Sequence, residues 1–130
     1  MPKLPLISIV DDDESVREAT KDLIRSLGYV AATFASAEEY LQSDYVADTS
    51  CLISDVQIPG MSGVELQDRL IADGSRTPII FITAFPEAKI RARALNAGAF
   101  GFLSKPFNDE SLIECLEMAL IGRDARPTPL

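Results

Sequence analysis

Cys51-Leu52-Ile53-Ser54-Asp55-Val56-Gln57-Ile58-Pro59-Gly60-Met61-Ser62-Gly63 is the stretch on which the fold turns. Apolar residues carry the chain to a single aspartate, Asp55, and Ile58-Pro59-Gly60 then forces a turn, because proline fixes φ and glycine accepts positive φ. Asp55 is therefore a carboxylate at the tip of a buried strand, where an unpaired charge is costly. Two more carboxylates, Asp11 and Asp12, end the apolar run Leu6-Ile7-Ser8-Ile9-Val10, and Thr83 ends Ile79-Ile80-Phe81-Ile82. A fourth run, Phe100-Gly101-Phe102-Leu103, leads through Ser104 to Lys105-Pro106. Four strand ends thus offer three carboxylates, a hydroxyl and an ammonium.

Helical patterns lie between these runs. Asp13 or an adjacent residue caps a helix on which Val16, Ala19, Leu23, Ile24 and Leu27 recur at helical spacing before Gly28. Tyr29 to Phe34 reads as a further short strand, and Ser36 with Glu39 as a capping box for a helix through Tyr40 and Leu41. Gln42 to Ser50 is polar and less regular. Ser62 and Glu65 form a second box, opening a helix that turns Val64, Leu66, Leu70 and Ile71 inward and stops at Gly74. Pro86 suits the first turn of the next helix, with Ile90, Ala94 and Leu95 inward, Lys89, Arg91 and Arg93 outward, and Gly98 at its end. Ala99 to Leu103 is the fifth strand, and Asn108 caps a last helix striped with Leu112, Ile113, Cys115, Leu116, Ala119 and Leu120.

Five short apolar strands alternating with five helices predict an α/β domain: a doubly wound five-stranded parallel sheet covered on both faces. In such sheets ligands bind outside the carboxyl ends of the strands, near the point where the strand order reverses. Asp11, Asp12, Asp55, Thr83 and Lys105 are all expected there.

With 130 residues, 47% of them hydrophobic, the chain fits one self-sufficient domain. Its expected extent is 1–122, with 123–130 a disordered tail or the start of a linker. A net charge of -8 argues against direct nucleic-acid binding, which requires basic surface. The sequence contains no histidine, so a histidine triad, a histidine metal site and a phosphohistidine are excluded within it. Cys51 and Cys115 read as small buried hydrophobes rather than as a disulfide or thiolate ligands. No apolar run is long enough to cross a bilayer and Met1-Pro2-Lys3-Leu4-Pro5 lacks the pattern of a signal peptide, so the expected location is cytoplasmic, without membrane contact.

Three carboxylates held together repel one another unless a cation intervenes. Every ligand on offer is an oxygen, which favours a hard ion such as Mg²⁺ over zinc. With Lys105 as a point charge and Thr83 as a hydroxyl donor, such a pocket suits a phosphoryl group, and a carboxylate can act as its acceptor. Singly, each residue has a plainer reading. Asp13 is a helix cap, Asp11 or Asp12 a strand-end residue, Thr83 a turn residue and Lys105 a surface lysine. Their convergence on one sheet edge favours the joint reading.

The segments Ile9-Val10-Asp11-Asp12-Asp13, Asp55 to Gly63, Ile82-Thr83-Ala84 and Ala97 to Phe107 resemble the receiver domain of two-component response regulators, above all receivers that precede helix-turn-helix DNA-binding domains. The likeness runs from about Leu4 to Leu120. It implies a flavodoxin-like sheet in the order 2-1-3-4-5, with Asp55 as phosphoacceptor, Asp11, Asp12, Asp55 and the Gln57 backbone carbonyl holding Mg²⁺, and Thr83 and Lys105 binding the phosphoryl oxygens. It also implies a cis peptide before Pro106. The function implied is a signalling switch, phosphorylated by a sensor histidine kinase and acting on transcription through an output domain or partner. The domain would assist its own Mg²⁺-dependent phosphorylation and dephosphorylation without being an enzyme. Activation would move Thr83 and Phe102 and reshape the face formed by the fourth helix, fifth strand and fifth helix.

Two positions depart from the common pattern. Phe102 stands where many relatives carry tyrosine, and the fifth strand has Phe100 and lacks the acidic pair that some relatives use for dimer salt bridges. Any phosphorylation-dependent homodimer is therefore expected to use a more apolar face, with Ile90, Phe100 or Phe102 beside Lys89, Arg91 and Arg93; core packing of the aromatics is the alternative. A degenerate receiver, acting as a phosphorylation-independent interaction module, is the alternative function. An aspartyl-phosphate phosphatase fits less well, because Gln57 stands where its second aspartate belongs. A nucleotide-binding relative would need a glycine-rich loop after the first strand, and none follows it.

Overall fold

In the computed structural model the described residues are 4–125. Five strands, β1 (Leu6–Val10), β2 (Val30–Phe34), β3 (Cys51–Asp55), β4 (Ile79–Thr83) and β5 (Gly101–Ser104), alternate with α1 (Glu14–Ser26), α2 (Ala37–Leu41), α3 (Gly63–Ala72), α4 (Ala88–Asn96) and α5 (Asp109–Ala125). All strand pairings are parallel, and the order is β2-β1-β3-β4-β5, as expected.

Alternation along each strand sends side chains to opposite faces. Val10, Leu52, Ile79 and Phe81 pack with Tyr40, Leu66, Leu70 and Ala94 on one face; Ile7, Ile9, Ile53, Ile80 and Ile82 pack with Ile24, Leu112 and Leu116 on the other. Because both faces are covered, β3 and β4 are buried at every position.

The caps follow the sequence with one exception. Asp13 accepts from the Ser15 and Val16 amides, Asn108 from the Ser111 amide, and Ser62 and Glu65 form a complete capping box. Ser36 accepts from the Glu39 amide. The reciprocal half of that box is not formed, and it is Glu38 whose carboxylate finds a backbone amide, that of Met61.

Several helix positions depart from the hydrophobic pattern. On α1, Ala19 is exposed and Thr20 is buried, its hydroxyl donating to the Val16 carbonyl. On α3, Ile71 faces solvent while Gln67 is buried, with Nε2 donating to the Ala94 carbonyl at 3.0 Å. That carbonyl also accepts from the Ala99 amide, so Gln67 reinforces the C-terminal end of α4 from α3. Pro86 precedes α4 rather than opening it; Glu87 is the N-cap residue and makes no side-chain cap bond. β5 begins at Gly101, two residues later than expected, where a Cβ would meet the Cys115 Sγ at 2.4 Å. α5 continues past Gly122 through Ala125, so 123–125 of the expected tail are helical; 126–130 lie outside the described residues.

Phe100 and Phe102 point to opposite faces of the sheet. Phe100 packs among the α1 and α5 side and Phe102 among the α3 and α4 side, with its ring 6.3 Å from that of Phe81. Ile90 and Phe102 therefore share a face, and Phe100 does not belong to it.

Candidate functional site

Register explains why residues so distant in sequence meet. Val10 pairs with Ser54, so Asp11 and Asp55 leave adjacent strands at the same level. Asp55 pairs with Ile82 and Thr83 with Ser104, which brings Thr83 and Lys105 to the same edge. The order reverses between β1 and β3, where the chain turns from one side of the sheet to the other, and the carboxylates sit at that switch point.

Asp11 is fully buried, Asp55 and Thr83 nearly so, and Asp12 is exposed. Lys105 Nζ donates to Asp11 Oδ2 at 3.1 Å and to Asp55 Oδ2 at 2.8 Å. The other oxygens are held by backbone amides: Asp11 Oδ1 by Asp13 N at 2.9 Å and Asp55 Oδ1 by Gln57 N at 3.0 Å. Arg17 Nη1 donates to the Asp11 carbonyl at 2.8 Å, fixing the β1–α1 loop from α1. The Thr83 hydroxyl accepts from the Phe85 amide at 3.1 Å. The Lys105–Pro106 peptide is cis.

Burial pushes the Asp11 carboxyl up from its ordinary value, opposed by the Asp13 amide and Lys105. Lys105 is desolvated, which alone would lower its pKa, but the hydrogen bonds and charges of Asp55 and Asp11 outweigh that and hold the ammonium above its ordinary value. The lysine thus stays charged and partly neutralises the carboxylates around it.

Asp11, Asp12 and Asp55 each present a carboxylate oxygen, and these lie within 4.8 Å of one another. A carboxylate oxygen carries two lone pairs, so those already accepting an N–H can accept again. Three converging carboxylates with no sulfur or imidazole in the set fit a hard divalent cation. Gln57 is exposed, and it lines an open cleft of about 540 Å³ together with Asp12, Pro59 and Arg93.

Glycine sets the approach of α3 to this edge. A Cβ on Gly63 would lie 2.3 Å from the Asp55 carbonyl oxygen and 3.1 Å from the Phe81 ring, so only glycine lets the helix begin so close to the strand end. The Gly63 amide donates to the Val56 carbonyl at 2.9 Å. Residue types had pointed to Asp11, Asp12, Asp55, Thr83 and Lys105, and all five reach one sheet edge. Arg17, Glu38 and Gly63 were not singled out. For Gly63 the signal was its place at the start of a helix, where a glycine has no propensity to recommend it.

A family model described as the response regulator receiver domain matches residues 7–117. Nodulation protein W of Bradyrhizobium diazoefficiens is 41% identical over 121 residues, covering 93% of this chain and 53% of that protein. Transcriptional regulatory protein TdiR of Thauera aromatica is 36% identical over 114 residues, covering 88% of this chain and 50% of that protein. The chain thus spans about half the length of these relatives. The solved structure of response regulator StyR superposes with a TM-score of 0.88 at 40% identity, over 95% of this chain and 63% of that one. With its parallel sheet in the order 2-1-3-4-5, its acidic strand ends and this match over most of its length, the chain belongs to the response regulator receiver domain family.

Proposed function

We propose that this domain is a phosphorylation-driven switch in which Asp55 accepts a phosphoryl group from a phosphohistidine on a sensor histidine kinase. The observation that carries the reading is the Lys105 ammonium bonded to Asp11 and Asp55 at once, with an Asp12 oxygen in the same small cluster. A lysine so placed can follow phosphoryl oxygens arriving on Asp55 without leaving the site.

In the transfer, an Asp55 carboxylate oxygen forms the new bond to phosphorus as the bond between phosphorus and the donor imidazole breaks. The electron pair of the broken bond stays on the imidazole nitrogen, which takes up a proton. Asp11, Asp12, Asp55 and the Gln57 backbone carbonyl would hold Mg²⁺, which when bound offsets the negative charge on the transferring group. Lys105 contributes a second cation. Thr83 donates its hydroxyl to a phosphoryl oxygen, exchanging its present role as acceptor from the Phe85 amide. The domain thereby assists its own phosphorylation and dephosphorylation, a phosphoacceptor rather than an enzyme with a separate substrate.

Movement of Thr83 alters the β4–α4 loop and is relayed through the α4/β5/α5 face to an output domain or a separate protein. Relatives named as transcriptional regulators support transcription as the process controlled. The reading places the domain in the cytoplasm, with no nucleic acid or membrane bound directly by it; no helix among the described residues is long and apolar enough to cross a membrane. Phosphorylated copies pair through Ile90 and Phe102; an unchanged sedimentation mass on adding a phosphoryl analogue would count against pairing.

Borohydride reduction of the phosphorylated protein, followed by peptide mapping, tests the acceptor. An acyl phosphate on Asp55 is reduced to homoserine at that position, whereas homoserine at 11 or 12 would refute the assignment.

A further inference from the structure

Glu38 lies on α2, outside the carboxylate cluster, yet its Oε2 accepts the Met61 amide at 3.1 Å across 23 positions of sequence. Met61 belongs to the loop between β3 and α3. The same oxygen occupies the space beside Gly60: a Cβ there would stand 2.5 Å from Oε2. Gly60 also has φ +79°, as the third position of a turn opened by Pro59 requires. Gly60 therefore both makes the turn and leaves room for the carboxylate that holds it.

The loop is fastened at its two ends, by the Gln57 amide on Asp55 Oδ1 at 3.0 Å and the Gly63 amide on the Val56 carbonyl at 2.9 Å. Between them the turn Ile58 to Met61 has Pro59 and Gly60 exposed. Glu38 supplies a fastening in that middle portion, reaching across from a different helix. It is itself exposed, so its contribution is not core burial; a carboxylate accepting a backbone N–H is a charge-assisted bond.

We propose that Glu38 is a positioning residue for the metal-binding loop: by holding the Met61 amide it fixes the turn, and so keeps the Gln57 carbonyl where a divalent cation shared with Asp11, Asp12 and Asp55 requires it. This rests on the reading of the carboxylate cluster as a Mg²⁺ site. Residues that orient ligands without touching the ion affect affinity by about ten-fold or more.

The test compares wild type with Glu38→Ala and Glu38→Gln by Met61 amide hydrogen exchange in metal-free protein and by calorimetric titration with MgCl₂. Glu38→Ala is expected to speed Met61 exchange by about ten-fold, the worth of one charge-assisted bond, and to weaken Mg²⁺ binding by about ten-fold. Glu38→Gln keeps an oxygen acceptor but loses the charge that strengthens the bond, and is expected to fall between wild type and Glu38→Ala in both. Wild-type binding of Mg²⁺ with both variants unchanged overturns the inference, as does a glutamine variant as weak as alanine, which would make Glu38 a matter of charge alone. A wild type that binds no Mg²⁺ refutes the metal site itself and, with it, the role assigned to Glu38.

Discussion

Tyr40 carries a hydroxyl into a fully buried position, where it donates to Thr49 Oγ1 at 3.0 Å, and that oxygen also bonds Ser8 Oγ at 2.7 Å. Burial raises the phenol above its ordinary 10.0, opposed by the bonds to Thr49 and Ser8. Since the folded state disfavours the phenolate, ionisation of Tyr40 leaves stability unchanged well below pH 10.0 and lowers it as pH rises beyond. Lys105 acts in the same direction: its ion-pair contribution is fully present below its ordinary 10.5 and is lost as pH rises through the higher folded value. Tyr40→Phe should therefore cost about 1 kcal/mol at neutral pH through the lost hydrogen bond, yet lose stability less steeply than wild type above pH 10.0. Urea unfolding at a series of pH values checks both parts; parallel profiles would contradict the account of Tyr40. At this scale the sequence was legible where a residue has one evident partner, as with Asp13 and its helix amides. It was opaque at Thr20 and Gln67, whose polar side chains are buried because they bond to a helix carbonyl, a partner that residue type does not reveal.

α3 shows what periodicity can and cannot settle in an element. Val64, Leu66 and Leu70 face the core as their spacing predicts, but the stripe closes on Gln67 and leaves Ile71 48% exposed. Leu70→Ala should cost about 3 kcal/mol, whereas Ile71→Ala should cost about 1 kcal/mol or less. Chemical denaturation of the two variants separates them, and equal losses would mean that α3 is rotated from its described face. Strand bounds were read closely for β1, β3 and β4, because an uninterrupted apolar run ending in a polar residue marks both ends of a buried strand. β5 started later because the Ala99 amide is held by the Ala94 carbonyl at the end of α4, and α4 began after Pro86 and Glu87, where the Phe85 amide is held by the Thr83 hydroxyl. Such short-range turn bonds are not displayed by hydrophobic spacing.

Across the whole molecule, the doubly wound sheet follows from the alternation of strands and helices, while its order was supplied by the family resemblance. The site follows from register, which sequence does not display. Asp11, Asp55, Thr83 and Lys105 could be named from their strand-end positions, but their convergence depends on pairings such as Val10 with Ser54 and Thr83 with Ser104. The braces around them, Arg17 on the Asp11 carbonyl and Glu38 on the Met61 amide, come from helices on different sides of the chain's path and were legible only in three dimensions. The central claim is that this assembly makes Asp55 a Mg²⁺-dependent phosphoacceptor. Intact mass after incubation with Mg²⁺ and a small acyl-phosphate donor, run beside Asp55→Asn, tests it most directly. The account predicts the gain of one phosphoryl group by the wild type, lost when Mg²⁺ is chelated and absent from the variant. An equal gain by Asp55→Asn, or no gain by the wild type even when a phosphorylated sensor kinase is the donor, would contradict it.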